Sequence, residues 1–175
     1  MTGISVICVD KQNNEIGEMS KKEVHEKGIL HRAFSIFIFN SKGQLLLQQR
    51  AKDKYHSGGL WTNTCCSHPA PGENTLEAAN RRLMEEMGMH THLEHVFDFT
   101  YTAHFENGLI ENEYDHVFFG FTDELPSINK EEVENWKLVN FDELDLEISE
   151  NSNHFTAWFK IIYPKVKTHF QTKLQ

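Results

Sequence analysis

At 175 residues the chain has the length of one domain with a core of its own, so residues 1–175 are expected to form a single unit. Hydrophobic residues make up 39% and charged residues 25%, a globular balance, and the net charge of −9 excludes nucleic acid and anionic membrane surfaces, whose phosphates repel such a protein. No apolar run approaches the roughly 18 residues that a membrane span needs, and the opening MTGISVICVDKQ has neither the basic start nor the long apolar stretch of a secretory leader.

Ile4 to Val9 reads as a strand. Ser20 and Glu23 have capping-box spacing and open a short helix carrying Val24 and His25. Ala33 to Phe39 and Leu45 to Gln49 read as strands joined by a turn over Asn40–Gly43. Residues 51–74, with Gly58-Gly59, Pro69 and Pro71-Gly72, form a long loop-rich stretch of the kind that usually carries function. Thr75 to Met87 is helical, with Leu76, Ala79, Leu83 and Met87 on one face and Gly88 as its stop. Phe97, Phe99, Tyr101, Ala103 and Phe105 alternate as a strand, Asn107-Gly108 turns it, and 109–121 returns beside it. A last amphipathic helix carries Phe155, Trp158, Phe159, Ile162, Val166 and Phe170, with a kink at Pro164. The alternation of strands and helices predicts a mixed sheet packed between helices. Cys8, Cys65 and Cys66 are an odd three without a paired framework, which points to a reducing, cytoplasmic setting.

Four groups of residues carry candidate chemistry. Glu85 and Glu86 near the end of the 75–87 helix offer hard oxygens suited to Mg²⁺ on a diphosphate. The alternative is a solvated face, since Arg81–Glu85 and Arg82–Glu86 are i,i+4 pairs. His25, His31 and His68 with Glu111 and Glu113 form a second group, chosen from the 11 His of the chain. Glu111 and Glu113 project from one strand face about 7 Å apart, and two carboxylates there are costly to bury without a cation. Imidazole with carboxylate suits Zn²⁺, Mn²⁺ or Fe²⁺. In Trp61-Thr-Asn-Thr-Cys65-Cys66-Ser-His68-Pro, a thiol near a metal and cations would ionise easily and act as base or nucleophile; the commoner fate is a buried, inert thiol. Lys21, Arg50, Lys54 and Arg82 would clamp a diphosphate if the fold brings them together, and are otherwise scattered surface charges.

The segment from Glu73 to Met89 resembles the Nudix box, G-x5-E-x7-R-E-U-x-E-E-x-G-U with U aliphatic. It matches at Glu73, Arg81, Leu83, Glu85, Glu86 and Gly88, and loosely at Met89. Ser67 stands where the leading Gly belongs, and Arg82 replaces the Glu that is one of the family's hydrolytic metal ligands. The resemblance implies a Nudix fold, an α+β, α/β/α sandwich, while Arg82 counts against hydrolysis. Lys21-x3-His25, His31-x-Ala-Phe-Ser35, the Trp61–Pro69 stretch, Glu86-x-Gly88 and Ile110-Glu-Asn-Glu113 together resemble the type I isopentenyl-diphosphate isomerases from about residue 5 to residue 160.

That resemblance implies one divalent metal, Mn²⁺, Zn²⁺ or Mg²⁺, on His25, His31, His68, Glu111 and Glu113. It implies Mg²⁺ on the substrate diphosphate, held by Glu86 with the Cys66 carbonyl. Lys21, Arg50, Lys54 and Arg82 fall at diphosphate-binding positions, Cys66 and Glu113 at the proton-transfer positions with Tyr101 assisting, and Trp158 at the cation-facing aromatic. On this reading Glu113 delivers a proton and Cys66, as thiolate, removes one. The partners are then a small diphosphate and, for a homodimer, a second copy. A Nudix diphosphate hydrolase is the alternative enzyme, and a non-catalytic Nudix ligand-binding module is the third reading. The latter predicts loss of Cys66 or of the Glu-x-Glu pair, and both are present.

Overall fold

The computed structural model describes residues 3–175. Its strands are β1 (Ser5–Val9), β2 (Glu15–Ser20), β3 (His31–Phe39), β4 (Leu45–Arg50), β5 (Trp61–Thr62), β6 (Cys65–Ser67), β7 (Leu93–His104), β8 (Ile110–Phe121) and β9 (Val133–Val139). Its α-helices are α1 (Lys21–Lys27), α2 (Thr75–Met87), α3 (Phe141–Glu150) and α4 (Ala157–Lys173). All the strands join one mixed sheet. β3 is its hub: it pairs with β1, β4 and β6 antiparallel and with β8 parallel.

Alternation along β3 sorts its side chains between two cores. Phe37 and Phe39 face α4, packed with Leu45, Leu47, Val117, Phe119, Phe159 and Phe170, while Phe34, Ile36 and Ile38 face α2, packed with Ala79, Leu83 and Met87. Both faces of β3 are therefore covered, which is why it reads as a near-continuous apolar run. Complete burial of Phe34, Phe37, Phe39, Phe119 and Phe159 contributes about 1.5–3 kcal/mol each. Helices on both faces of one sheet give the expected sandwich. Among the described residues no helix is long and apolar enough to cross a membrane.

The helix boundaries follow local chemistry. Ser20 caps α1 by accepting from the Glu23 amide at 3.2 Å. Gly88 ends α2 in the left-handed region at φ 61°, and a Cβ there would lie 2.4 Å from the Ser127 carbonyl oxygen, so only glycine fits. Two expectations are corrected. Leu76 is 41% exposed, and Ala78 takes its place on the buried face of α2. The loop-rich 51–74 stretch contains the short strands β5 and β6. The last helix runs as α4 with Pro164 inside it, the buried face of Trp158, Phe159, Ile162, Val166 and Phe170 offsetting one lost backbone hydrogen bond.

Candidate active site

The register of the sheet assembles the site. On the α4 side of the sheet, parallel pairing puts His31 of β3 beside Glu113 of β8, and antiparallel pairing puts Tyr101 of β7 on the other flank of Glu113. Four residues along β3, β6 pairs Cys66 with Ser35. α1 brings in His25, and His68 follows β6 directly. The result is a cluster in which single ligand atoms of His25, His31, His68, Glu111 and Glu113 all lie within 4.8 Å of one another.

The hydrogen bonds of the cluster imply a cation. His25 Nδ1 is 2.6 Å from the Lys21 carbonyl and His31 Nδ1 is 2.8 Å from the Ile29 carbonyl. Carbonyls only accept, so each Nδ1 carries the proton and each Nε2 turns a lone pair inward. His25 Nε2 then sits 3.2 Å from Glu111 Oε2, lone pair against lone pair, and both atoms are buried without a hydrogen-bond partner. His31 Nε2 turns its lone pair toward His68 Nε2 at 3.2 Å, and Glu113 Oε1 lies 3.6 Å from it and 2.9 Å from His68 Nε2. Acceptors buried this way are costly unless a cation joins them. Three imidazole nitrogens and two carboxylates fit a divalent metal, the set that the resemblance implies.

Each carboxylate of the cluster divides its oxygens. Glu113 turns Oε1 to His68 at 2.9 Å, and its Oε2 accepts from the Tyr101 hydroxyl at 2.8 Å. Glu111 turns Oε2 to His25, and its Oε1 lies 2.8 Å from His56 Nε2. Burial would raise the Glu113 pKa, but His31 and His68 hold it well below the usual carboxylate range. Burial takes His68 down to about 4 against the pull of Glu113. For His31, burial also opposes charging, yet Glu113 prevails and lifts the pKa above 6.5.

A cleft opens over this cluster, lined also by Lys21, Arg50, Cys66, Tyr101 and Trp158. Lys21 has its pKa lowered first by burial and then by the charges of Arg50 and Lys54, against Glu111, and of the four expected cations Lys21 and Arg50 share the cleft lining. Arg50 lies 5.2 Å above the centroid of the Trp158 ring.

Cys65 and Cys66 diverge as alternation requires: Cys65 is fully buried in the α2-side core, and Cys66 opens onto the cleft. Without metal, the surroundings of Cys66 oppose the expected thiolate. Although Cys66 keeps some exposure, the protein packed around its sulfur pushes the thiol up to about 12, and Arg50 offsets this only in part. Before any metal or substrate binds, the proton rests on Cys66 and the charge on Glu113.

Glu86, Arg82 and Lys54 do not line the cleft. Glu86 is on the α2 side, 5% exposed, accepting from Arg82 Nη2 at 2.6 Å and from Gln48 Nε2 at 2.9 Å. Arg82 also donates to Glu85 at 2.6 Å and lies 3.5 Å from Glu132, which pairs with Lys54. Glu73 clasps Arg81 through two hydrogen bonds at 2.7 and 2.9 Å, and Arg81 in turn reaches Glu85. Burial and three carboxylates leave Arg82 more than an ordinary surface partner. If it also binds diphosphate, Arg82→Ala should lower kcat/KM well beyond the ~0.3–0.5 kcal/mol typical of a helix-surface pair. Steady-state kinetics beside a thermal melt check this: a loss within that small range confines Arg82 to its ion pairs.

Two residues of the site escaped the sequence reading. His56 came from the loop-rich stretch with no spacing to link it to Glu111. Asp115 had a signal, since it continues the 111–113 alternation. It is 1% exposed and accepts from Ser35 Oγ at 2.7 Å, and burial, reinforced by Glu113, raises its pKa well above the usual range.

Fold and site together define a Nudix protein with a His/Glu group fit for a divalent metal, and the NUDIX domain family matches residues 29–159. Solved structures agree on the fold: a Deinococcus radiodurans protein (TM-score 0.70, 18% identity, covering 84% of this chain and 90% of that one) and the MutT protein of Methanosarcina mazei (TM-score 0.64, 17% identity, 83% and 96%). Sequence relatives are much nearer. The isopentenyl-diphosphate Delta-isomerase of Pectobacterium atrosepticum is 51% identical over 95% of this chain and 93% of its own length, and that of Serratia proteamaculans is 52% identical over 90% and 88%. The chain belongs to this isopentenyl-diphosphate Delta-isomerase family of Nudix proteins.

Proposed function

We propose that this chain, as one catalytic domain, interconverts isopentenyl and dimethylallyl diphosphate by moving a proton on and off the carbon skeleton. The observation that carries the reading is the placement of Cys66 and of Glu113, with its Tyr101 hydrogen bond, on one cleft beside a buried ligand cluster. Shifting the double bond requires a proton added at the terminal carbon and another lost from the carbon across the tertiary centre. The intermediate is a tertiary carbocation. Two proton-transfer groups are needed, and each turnover exchanges their protonation states, so the thiol and the carboxylate share one proton between them. Whichever group acts as acid in one direction acts as base in the other.

The metal held by His25, His31, His68, Glu111 and Glu113 would supply positive charge that fixes Glu113 and tunes its acidity. Mg²⁺ arriving with the diphosphate would be served by Glu86 and the Cys66 carbonyl, and Glu86 must then give up its bond from Arg82. Lys21 and Arg50, with Lys54 close by, would neutralise the diphosphate. Trp158 would stabilise the cation by up to about 2 kcal/mol in a dry site, roughly thirtyfold in rate. Excluding water protects that cation from capture as an alcohol.

Diphosphate hydrolysis is the weaker reading. Arg82 stands at a hydrolytic ligand position and occupies both Glu85 and Glu86, and the convergent ligand set found among the described residues lies on the other side of the sheet from α2. With Mg²⁺ and a panel of nucleoside diphosphate compounds, phosphate release should stay at background while isopentenyl diphosphate is isomerised. Efficient nucleotide turnover would overturn the assignment.

A further inference from the structure

The two carboxylates of the ligand cluster are built alike. Each turns one oxygen toward the histidines and binds a ring-borne donor with the other: the Tyr101 hydroxyl at 2.8 Å for Glu113, and His56 Nε2 at 2.8 Å for Glu111. Tyr101 belongs to a strand of the sheet, whereas His56 comes from the loop between β4 and β5 and has no sheet register to place it. Other contacts fix it instead. Its ring stacks on Phe105 at 4.9 Å between centroids and meets Trp158 edge-on at 5.7 Å. Its Nδ1 lies 3.2 Å from the Ser57 hydroxyl, and its carbonyl accepts from Arg50 at 3.2 Å. Ser57 takes a left-handed φ of 54°, a conformation costly for a residue with a side chain, at the point where its hydroxyl reaches that ring.

The tautomer follows from the partners. A carboxylate only accepts, so His56 Nε2 carries the proton toward Glu111 Oε1, and the Ser57 hydroxyl donates to Nδ1. His56 stands outside the five converging ligands, because Glu111 lies between it and His25. We infer that His56 is a positioning residue for the metal centre: its Nε2–H holds one oxygen of Glu111 so that the other is presented, with a fixed orientation, to the metal. This deepens the proposed function and rests on its reading of the His/Glu cluster as a metal site. The same side chain closes the cleft against Trp158, so the loop that carries Arg50's hydrogen-bond partner also orders the metal centre.

The test uses the metal-free protein and Zn²⁺ in competition with a chromophoric chelator, on the parent chain and on His56→Phe, His56→Gln and His25→Ala. His56→Phe keeps a ring against Phe105 and Trp158 but has no donor; Gln restores an N–H near the position of Nε2. Removing an outer hydrogen-bond partner of a ligand typically weakens binding 10–100-fold, so His56→Phe should fall in that range and His56→Gln should return to within about threefold of the parent. His25→Ala should lose tight binding. Melting temperatures of the metal-free Phe and Gln variants should agree with the parent. Parent-like Zn²⁺ affinity in His56→Phe, with binding lost in His25→Ala, would overturn the role of His56 and leave the metal site standing. Equal weakening in Phe and Gln, or a lowered metal-free melt confined to Phe, would also overturn it, by assigning His56 to ligation or to packing. Tight binding retained in His25→Ala would remove the metal site itself, and this inference with it.

Discussion

Replacing Cys66 with Ala should reduce isomerisation by about 10³-fold or more, the upper part of the range for one proton-transfer group and at least ~4 kcal/mol of barrier. The fold and the metal content should survive, because Cys66 borders the cleft and loses only a sulfur there. Cys66→Ser should fail almost as badly, since a hydroxyl is a far weaker acid than a thiol, and burial already holds the thiol at about 12. Cys65→Ala is the control. Cys65 is fully buried among α2-side side chains, so its loss should cost about 1 kcal/mol of stability and leave most activity. Alkylation should be slow at both thiols near neutral pH and slower at Cys65, whose burial also raises its pKa and leaves no exposed surface. Rate measurements on the three variants, with metal analysis alongside, decide the matter. Full activity in Cys66→Ala, or equal losses in the two alanine variants, removes the thiol from the mechanism.

Combining His25→Ala with Glu111→Gln should strip the protein of tightly bound divalent metal, because it removes the pair of facing acceptors that lie 3.2 Å apart. The pH dependence of metal binding has a definite sign. Binding needs neutral imidazoles. The His31 pKa lies above 6.5 in the metal-free fold, so acid begins to compete there as pH falls through that raised value. His68, held down at about 4, adds no competition until far lower pH. In the metal-free protein the raised His31 contributes stability that is complete below the unfolded value of 6.5 and is lost as pH rises through the folded one. The stabilisation conferred by metal should therefore grow from about pH 5.5 to about pH 8, measured as the Zn²⁺-induced shift in melting temperature. A shift that is flat across that interval contradicts the ligand role of His31, and unchanged metal content in the double variant contradicts the cluster as a whole.

Much of this architecture was legible because its signals are local. α2 runs over Thr75–Met87 as its periodicity and Gly88 require, and the Ser20–Glu23 spacing does open α1. β7 and β8 follow from alternation about Asn107-Gly108. α3 had a readable signal that went unused: Asn140 and Glu143 form a full capping box. β2 and β9 lacked one. β2 is largely exposed, and β9 buries chiefly its ends, so neither shows a clean apolar alternation. In the site, what depends on register was beyond local reading. Nothing in the spacing of His31 and Glu113 predicts that parallel strands set them side by side, or that loop residue His56 reaches Glu111. The motif resemblance supplied the ligand set, and the fold brings that set together. It did not foresee that Arg82 and Lys54 engage Glu132 away from the cleft lining, or that burial, not the neighbouring cations, dominates the Cys66 thiol.

The central claim is that this chain moves a double bond by adding one proton and removing another. The direct measurement is incubation of the metal-loaded protein with isopentenyl diphosphate in D₂O, followed by NMR of the products and assay of free phosphate. Dimethylallyl diphosphate carrying deuterium in a methyl group, with no phosphate released, is the predicted result; phosphate release without an allylic product would contradict it.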